Sequence, residues 1–208
     1  VGCSSLNISK GLKYLRLFEV KYFIASSEEV KREIRKYDDF ILLKRIGDFE
    51  IYEIKNSGNY TEIPKFKPIF VSKENWKEIS LNWFKDDSLI EIPLIFSENG
   101  EIAKLKNIEK IPIEKNCTLE EKIKNDEIKI KTNCINVPIW IKVPYFPNWK
   151  VEGAEKIYLS SPAFMMIFPK EENVRIYYDY DLIDTIGILL TLIAIVFIVL
   201  EKLKTLNL

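Results

Sequence analysis

The segment TIGILLTLIAIVFIVL at positions 185–200 carries no charged side chain over sixteen residues. Apolar on every side, a helix of this sequence has no face to turn to water, which excludes an ordinary surface helix. A bilayer span takes about 20 mostly apolar residues at a rise of 1.5 Å each. Leu182, Ile183 and Asp184 extend the run to nineteen residues at the cost of one acid, so the reading is a transmembrane helix over 181–201. A buried core helix would account for a run of about 10–14 residues. A cleaved signal peptide would stand at the other end of the chain.

The flanks predict its direction. Asp179, Asp181 and Asp184 precede the run, and Lys202 and Lys204 follow it. Basic residues favour the cytoplasmic side, whereas acids weigh little. The expectation is a cell-membrane protein with residues 1–180 outside, a cytoplasmic tail at 202–208, and the lipid bilayer as its first partner. Tyr177, Tyr178 and Tyr180 fall where an outer aromatic belt stands. An outside domain must be exported, and the chain opens on Val1-Gly2-Cys3 rather than on a signal sequence. The simplest expectation is the C-terminal part of a longer protein with membrane spans upstream. Val1-Gly2-Cys3 loosely matches a lipoprotein processing site but has no apolar region before it, so lipidation of Cys3 is not expected.

Composition narrows the chemistry. Lys plus Arg and Asp plus Glu are both 31, for a formal net charge of zero. That removes a global basic field for nucleic acid, though not a local patch, and no nucleic-acid partner is expected. Histidine and glutamine are absent. Without histidine there is no Ser–His–Asp or Cys–His machinery, no imidazole proton shuttle and no histidine metal ligand. The Lys, Glu and Ile bias is hyperthermophile-like, where charge networks are favoured and labile side chains avoided.

Patterning gives the organisation: an α+β fold made of a small α/β unit over 1–58, a β-rich, sandwich-like outside domain over 59–180, and the C-terminal transmembrane helix. In the first unit, 11–18 (GLKYLRLF) sets Leu12, Leu15 and Phe18 on one helical face. Residues 20–25 read as a strand. Ser26 with Glu29 fits a capping box for a helix carrying Val30 and Ile34 inward. Runs 40–46 and 49–54 flank Gly47-Asp48, a two-residue hairpin signal. Beyond 59, a strand at 69–71 precedes a helix carrying Trp76, Ile79 and Trp83, with Ser72 as its cap. Short apolar runs then follow at 89–96, 108–113, 127–130, 137–143, 156–159, 163–168 and 174–178, the spacing of a β-sandwich.

Candidate chemistry is sparse. Cys117 and Cys134 lie seventeen apart around a Lys/Glu-rich segment. In an oxidising compartment such a pair forms a disulfide, the alternative being two buried thiols. Three scattered cysteines do not make a metal site, and no cofactor motif is present, the chain having only seven glycines. Asn7, Asn59 and Asn116 open Asn-X-Ser/Thr triplets, acceptors for N-glycosylation outside the cell. Asn59, in a Ser-Gly-Asn loop, is the best placed. The pairs Asp38-Asp39, Asp86-Asp87 and Glu171-Glu172 sit among lysines and read as solvated surface rather than catalytic carboxylates. Tyr145, Phe146, Trp149, Phe164 and Phe168 make either a sugar-binding platform or, more commonly, sandwich core.

Two stretches carry a resemblance. Residues 11–55 hold GLKYLRLFEVKYFIA, a charged helix and GDFEIYEIKN; residues 145–200 hold YFPNWKVEG, SPAFMMIFPKEENVRIYYDY and the final span. Together they resemble the C-terminal region of multi-spanning membrane proteins of the YfhO type and of archaeal relatives described as "membrane protein, 6-pyruvoyl-tetrahydropterin synthase-related". The family is similar to lipid-dependent glycosyltransferases of the C type, whose chemistry is done by an acid in an early outside loop. That loop is not in this sequence, so the resemblance carries no catalytic residue over. Tyr145, Pro147, Trp149 and Gly153 match the family's strand–turn motif, with a structural role. Pyruvoyl-tetrahydropterin synthases bind zinc through three histidines, which this chain lacks. The implied function is a non-catalytic extracytoplasmic module that assists the handling of lipid-linked sugars or their acceptor, beside upstream spans of the same protein. The alternative is a surface or structural interaction protein anchored by its tail. A tethered hydrolase fits least, for want of histidine and of a nucleophile motif.

Overall fold

A computed structural model of the chain describes residues 7–100, 108–114 and 116–206. Cys3 lies outside the described residues. The fold is α+β, and the described residues form three sheets and four helices.

The N-terminal unit is built from α1 (Ile8–Leu17), β1 (Tyr22–Ala25), α2 (Glu28–Ile34), β2 (Phe40–Ile46) and β3 (Phe49–Ile54). Its antiparallel sheet has the order β1-β3-β2. Gly47 takes a φ of +55° in the two-residue turn between Ile46 and Phe49, a conformation glycine reaches without strain. Ile8 and Leu12 of α1 and Ile34 of α2 pack on Phe40, Tyr52 and Ile54 of the sheet. The helix cap differs from expectation by one residue. Ser27, not Ser26, caps α2 and accepts from the Val30 N–H at 3.3 Å. That places Glu28 and Glu29 in the first turn, where the helix dipole favours them.

The rest is layered. β4 (Thr61–Glu62), β5 (Ile69–Ser72), β6 (Leu94–Ser97), β9 (Ile139–Pro144), β11 (Tyr158–Ser160) and β12 (Phe164–Ile167) make a six-stranded sheet of order β4-β9-β12-β11-β6-β5. β7 (Leu119–Ile123), β8 (Glu127–Thr132), β10 (Trp149–Glu152) and β13 (Asn173–Tyr178) make a four-stranded sheet of order β10-β13-β8-β7. Strand alternation decides which residues meet. Ile139, Ile141, Met165 and Ile167 of the larger sheet pack on Ile128, Ile130, Val174 and Ile176 of the smaller one, giving the sandwich core. The intervening Trp140, Phe164 and Met166 face the other way, onto Trp83 of α3 (Trp76–Lys85) and Leu17 of α1.

Three local readings differ from the expected ones. Ser72 does not cap α3; its hydroxyl accepts from Glu74 N–H, and Asn75, in the left-handed region, stands at the cap. The run at 89–96 is a strand only from Leu94. Ahead of it, Ile92 N–H closes a turn on Leu89 C=O at 2.8 Å, and Pro93 has no N–H to give a ladder. Residues 108–113 make a single bridge, Phe66 to Pro112. The C-terminal helix α4 (Leu182–Leu206) holds one candidate span, Leu182–Leu200, with a mean hydropathy of 2.8 and none of it buried.

Candidate functional site

A cleft of about 640 Å³ opens between α1 and the β4–β9 end of the larger sheet. Its floor is set by alternation along β9: Trp140 and Lys142 share the face toward α1, opposite Ile139 and Ile141. Lys142 is buried, and its ammonium is fully engaged. It pairs closely with Glu19, lies 2.9 Å from Glu62 and donates to the Arg16 carbonyl at 3.3 Å. An ammonium has three protons to give, and these three acceptors use them. Lys142 is therefore a clasp rather than a base or a nucleophile.

The partners are held from different parts of the chain. Glu19 follows α1 with a φ of +51°, a costly conformation for a residue with a side chain. Its carboxylate also accepts the Gly58 N–H at 2.8 Å, so one side chain joins the end of α1, the loop after β3 and strand β9. Glu62 arrives through the β4–β9 pairing, opposite Trp140. Burial, partly offset by Lys142, holds the Glu62 carboxyl above the usual glutamate range.

The walls balance in charge: Lys13, Arg16, Lys65 and Lys142 stand against Glu19, Glu62, Asp87 and Glu91. Behind the cleft wall the Tyr14 hydroxyl donates to Asp87 at 2.6 Å, with the Phe84 carbonyl oxygen at 3.0 Å. Burial first, and then Asp87, push the Tyr14 phenol up to about 12. Arg16 Nε and Trp140 Nε1, like Ser80 Oγ and Ser160 Oγ away from the cleft, are buried without a partner among the described residues. A cleft whose walls carry cationic donors and carboxylate acceptors in equal number suits a neutral, hydrogen-bonding group.

The residues singled out in the sequence lie elsewhere. Cys117 and Cys134 are joined, with Cα atoms 5.5 Å apart, across the ends of the β7–β8 hairpin. Asn7, Asn59 and Asn116 are all exposed, and Asn7 also caps α1 by accepting the Lys10 N–H at 2.9 Å. Four of the five aromatics pack in the two core clusters, Phe164, Phe168 and Tyr145 in the one facing α3 and Tyr145 and Trp149 in the sandwich core, leaving Phe146 outside them. Phe164 is buried against Trp140, Phe168 packs with Phe70 and Tyr158, and Phe146 is exposed beside Trp149 and Tyr178. Tyr145 and Trp149 are half-buried, and Pro147 is exposed. Gly153 has a φ of +80°, and a Cβ there would lie 2.5 Å from the Asn173 carbonyl oxygen, so both sterics and backbone demand glycine. Asp39 receives Arg16 and Asp87 receives Tyr14 and Lys10, while Glu171 and Glu172 are exposed.

Glu19, Glu62, Trp140 and Lys142 were not singled out by sequence. No family model matches the chain, and neither a curated protein nor a solved structure matches it.

Proposed function

We propose that this chain is a non-catalytic, extracytoplasmic module held at the membrane by α4, assisting the handling of a lipid-linked sugar or its acceptor within a glycosyltransferase-like membrane protein. The observation that carries this reading is the cleft lining, where the donors Lys13, Arg16 and Lys65 stand among the carboxylate acceptors Glu62, Asp87 and Glu91. A hydroxyl both gives and receives a hydrogen bond, so a polyhydroxylated group satisfies both kinds of partner at once. The even charge of the walls favours a neutral ligand over a charged one. The YfhO-type resemblance supplies the setting.

The test is saturation-transfer NMR on the purified chain with neutral oligosaccharides and the matching uronic acids. Transfer to the neutral ligands, lost in Glu62→Ala, is the expected result. No transfer to any of them would remove the sugar reading. Turnover of an activated or lipid-linked donor by this chain alone would overturn its non-catalytic part.

A second reading, a tail-anchored interaction protein, is favoured by one surface. The outer face of the N-terminal sheet leaves Tyr22, Ile24, Ile46 and Phe49 each more than half exposed, an apolar patch of the kind that marks protein contacts. The length of the full reading frame separates the two: many upstream spans support the first, a signal peptide directly before Val1 the second.

A further inference from the structure

The strand ends next to α4 make a surface of their own. β10 and β13 pair with Trp149 opposite Tyr178, and Tyr178 lies only a few residues before the helix begins at Leu182. Around Tyr178 the rings are contiguous. Phe146 stacks on it with centroids 6.2 Å apart, Trp149 meets it edge-on at 5.7 Å, and Tyr180 at 5.5 Å. Phe146 is 52% exposed and Tyr180 is 62% exposed, so the outer half of this cluster is left to the surroundings.

The cluster is fastened to the helix. Asp181 and Asp184 cap the first turn reciprocally, the Asp184 N–H donating to Asp181 at 2.8 Å and the Asp181 N–H to Asp184 at 3.2 Å. Asn148, in the turn between Phe146 and Trp149, donates its side-chain amide to the Asp184 carboxylate at 3.2 Å and to the Asp179 carbonyl at 3.2 Å. Its own carbonyl accepts the Asp179 N–H at 2.9 Å. Strand turn and helix start thus form one hydrogen-bonded joint.

The joint fixes a height. The uncharged run begins at Thr185, directly after Asp184. A bilayer adds roughly 5–7 Å of polar layer on each side of a hydrocarbon core of about 30 Å. Nineteen helical residues from Leu182 to Leu200 cover about 28 Å at the helical rise, so the whole candidate span is needed to cross the core. Asp184 is then drawn to the edge of the hydrocarbon, and Asn148, one hydrogen bond away, lies inside the headgroup layer. Aromatic side chains with one polar end are at home in that layer.

We infer that the 145–149 turn is a second membrane contact: Phe146 and Trp149, with Tyr178 and Tyr180, seat the outside domain on the headgroup layer, and Asn148 locks its tilt to that of α4. The inference rests on α4 spanning a bilayer. The occupant is lipid because the surface is continuous, through the joint, with the unburied apolar helix.

The test uses the full chain labelled with 5-fluorotryptophan in lipid nanodiscs, with and without lipid bearing a nitroxide near the headgroup. Loss of one signal in Trp149→Phe assigns Trp149, and Trp76, Trp83 and Trp140, which pack in the separate cluster around α3, serve as references. The Trp149 signal should broaden several-fold more than the references, and the signal introduced by Phe146→Trp at least as much. Asn148→Ala should weaken the Trp149 effect while leaving the chain lipid-bound. Broadening no greater at Trp149 and at position 146 than at the references, in a chain that resists alkaline extraction, would overturn the contact alone. Extraction from the discs at alkaline pH would overturn the span on which it rests.

Discussion

Glu50 shows what one charge does inside this fold. It is a buried carboxylate on β3 that accepts from the Tyr52 hydroxyl, from Arg35 at 2.5 Å and from Arg45 at 2.9 Å. The Tyr52 hydrogen bond first, and then the guanidiniums, outweigh burial and push its pKa down to about 2. An unfolded glutamate titrates near 4.3. The folded value is the lower, so the stabilisation is complete above the unfolded pKa and is lost as pH falls through the folded one. Denaturant midpoints of the native chain should therefore drop between about pH 5 and pH 2. Glu50→Gln should be less stable at neutral pH and show a shallower drop over that window; identical slopes would remove Glu50 from the account. The residue was legible in principle. FEIYEI at 49–54 alternates, and the period that turns Tyr52 and Ile54 inward turns Glu50 inward too. The adjacent pairs Asp38-Asp39 and Asp86-Asp87 stand out in the sequence more than a single acid in an alternating strand. Glu19, Glu62 and Lys142 had no such local signal, because their meeting depends on which strands pair and on a left-handed residue after α1.

At the scale of elements, strands were legible where the run itself is bulky and apolar, even where, as in β2 beyond Phe40, it is exposed. The 40–46 and 49–54 hairpin arms match β2 and β3 to the residue. β7 was not legible: LEEKI reads as charged linker because, as an edge strand, it turns most of its side chains to water. Its fastening is the Cys117–Cys134 bond, which closes a loop of seventeen residues in sequence. In the chain-entropy account a loop of that size contributes about 3 kcal/mol. Reduction should lower the unfolding free energy by about that amount. Hydrogen exchange should speed up first in β7, which pairs on one side only with β8. Non-reducing peptide maps should show the two cysteines joined. Free alkylation of both in the native, unreduced protein would rule the bond out.

For the whole molecule, the small N-terminal unit and the sandwich are clasped together by Lys142 with Glu19, by Tyr14 with Asp87 and by Leu17 in the helix-side core. The C-terminal helix has none of its candidate span buried against that body. The helix is long and apolar enough to cross a membrane, and under the proposed function the direction of crossing is a matter of charge and redox chemistry. Lys202 and Lys204 after the run favour a cytoplasmic tail. The Cys117–Cys134 bond is consistent with that direction, since such bonds persist on the oxidising side of a membrane. Protease added to intact spheroplasts should degrade the domain over 7–180. An epitope placed after Leu208 should become accessible to antibody only once the membrane is permeabilised. A domain fully protected in intact spheroplasts and digested only after lysis would reverse the orientation, and it would also leave the Cys117–Cys134 bond in a reducing compartment where it should not persist.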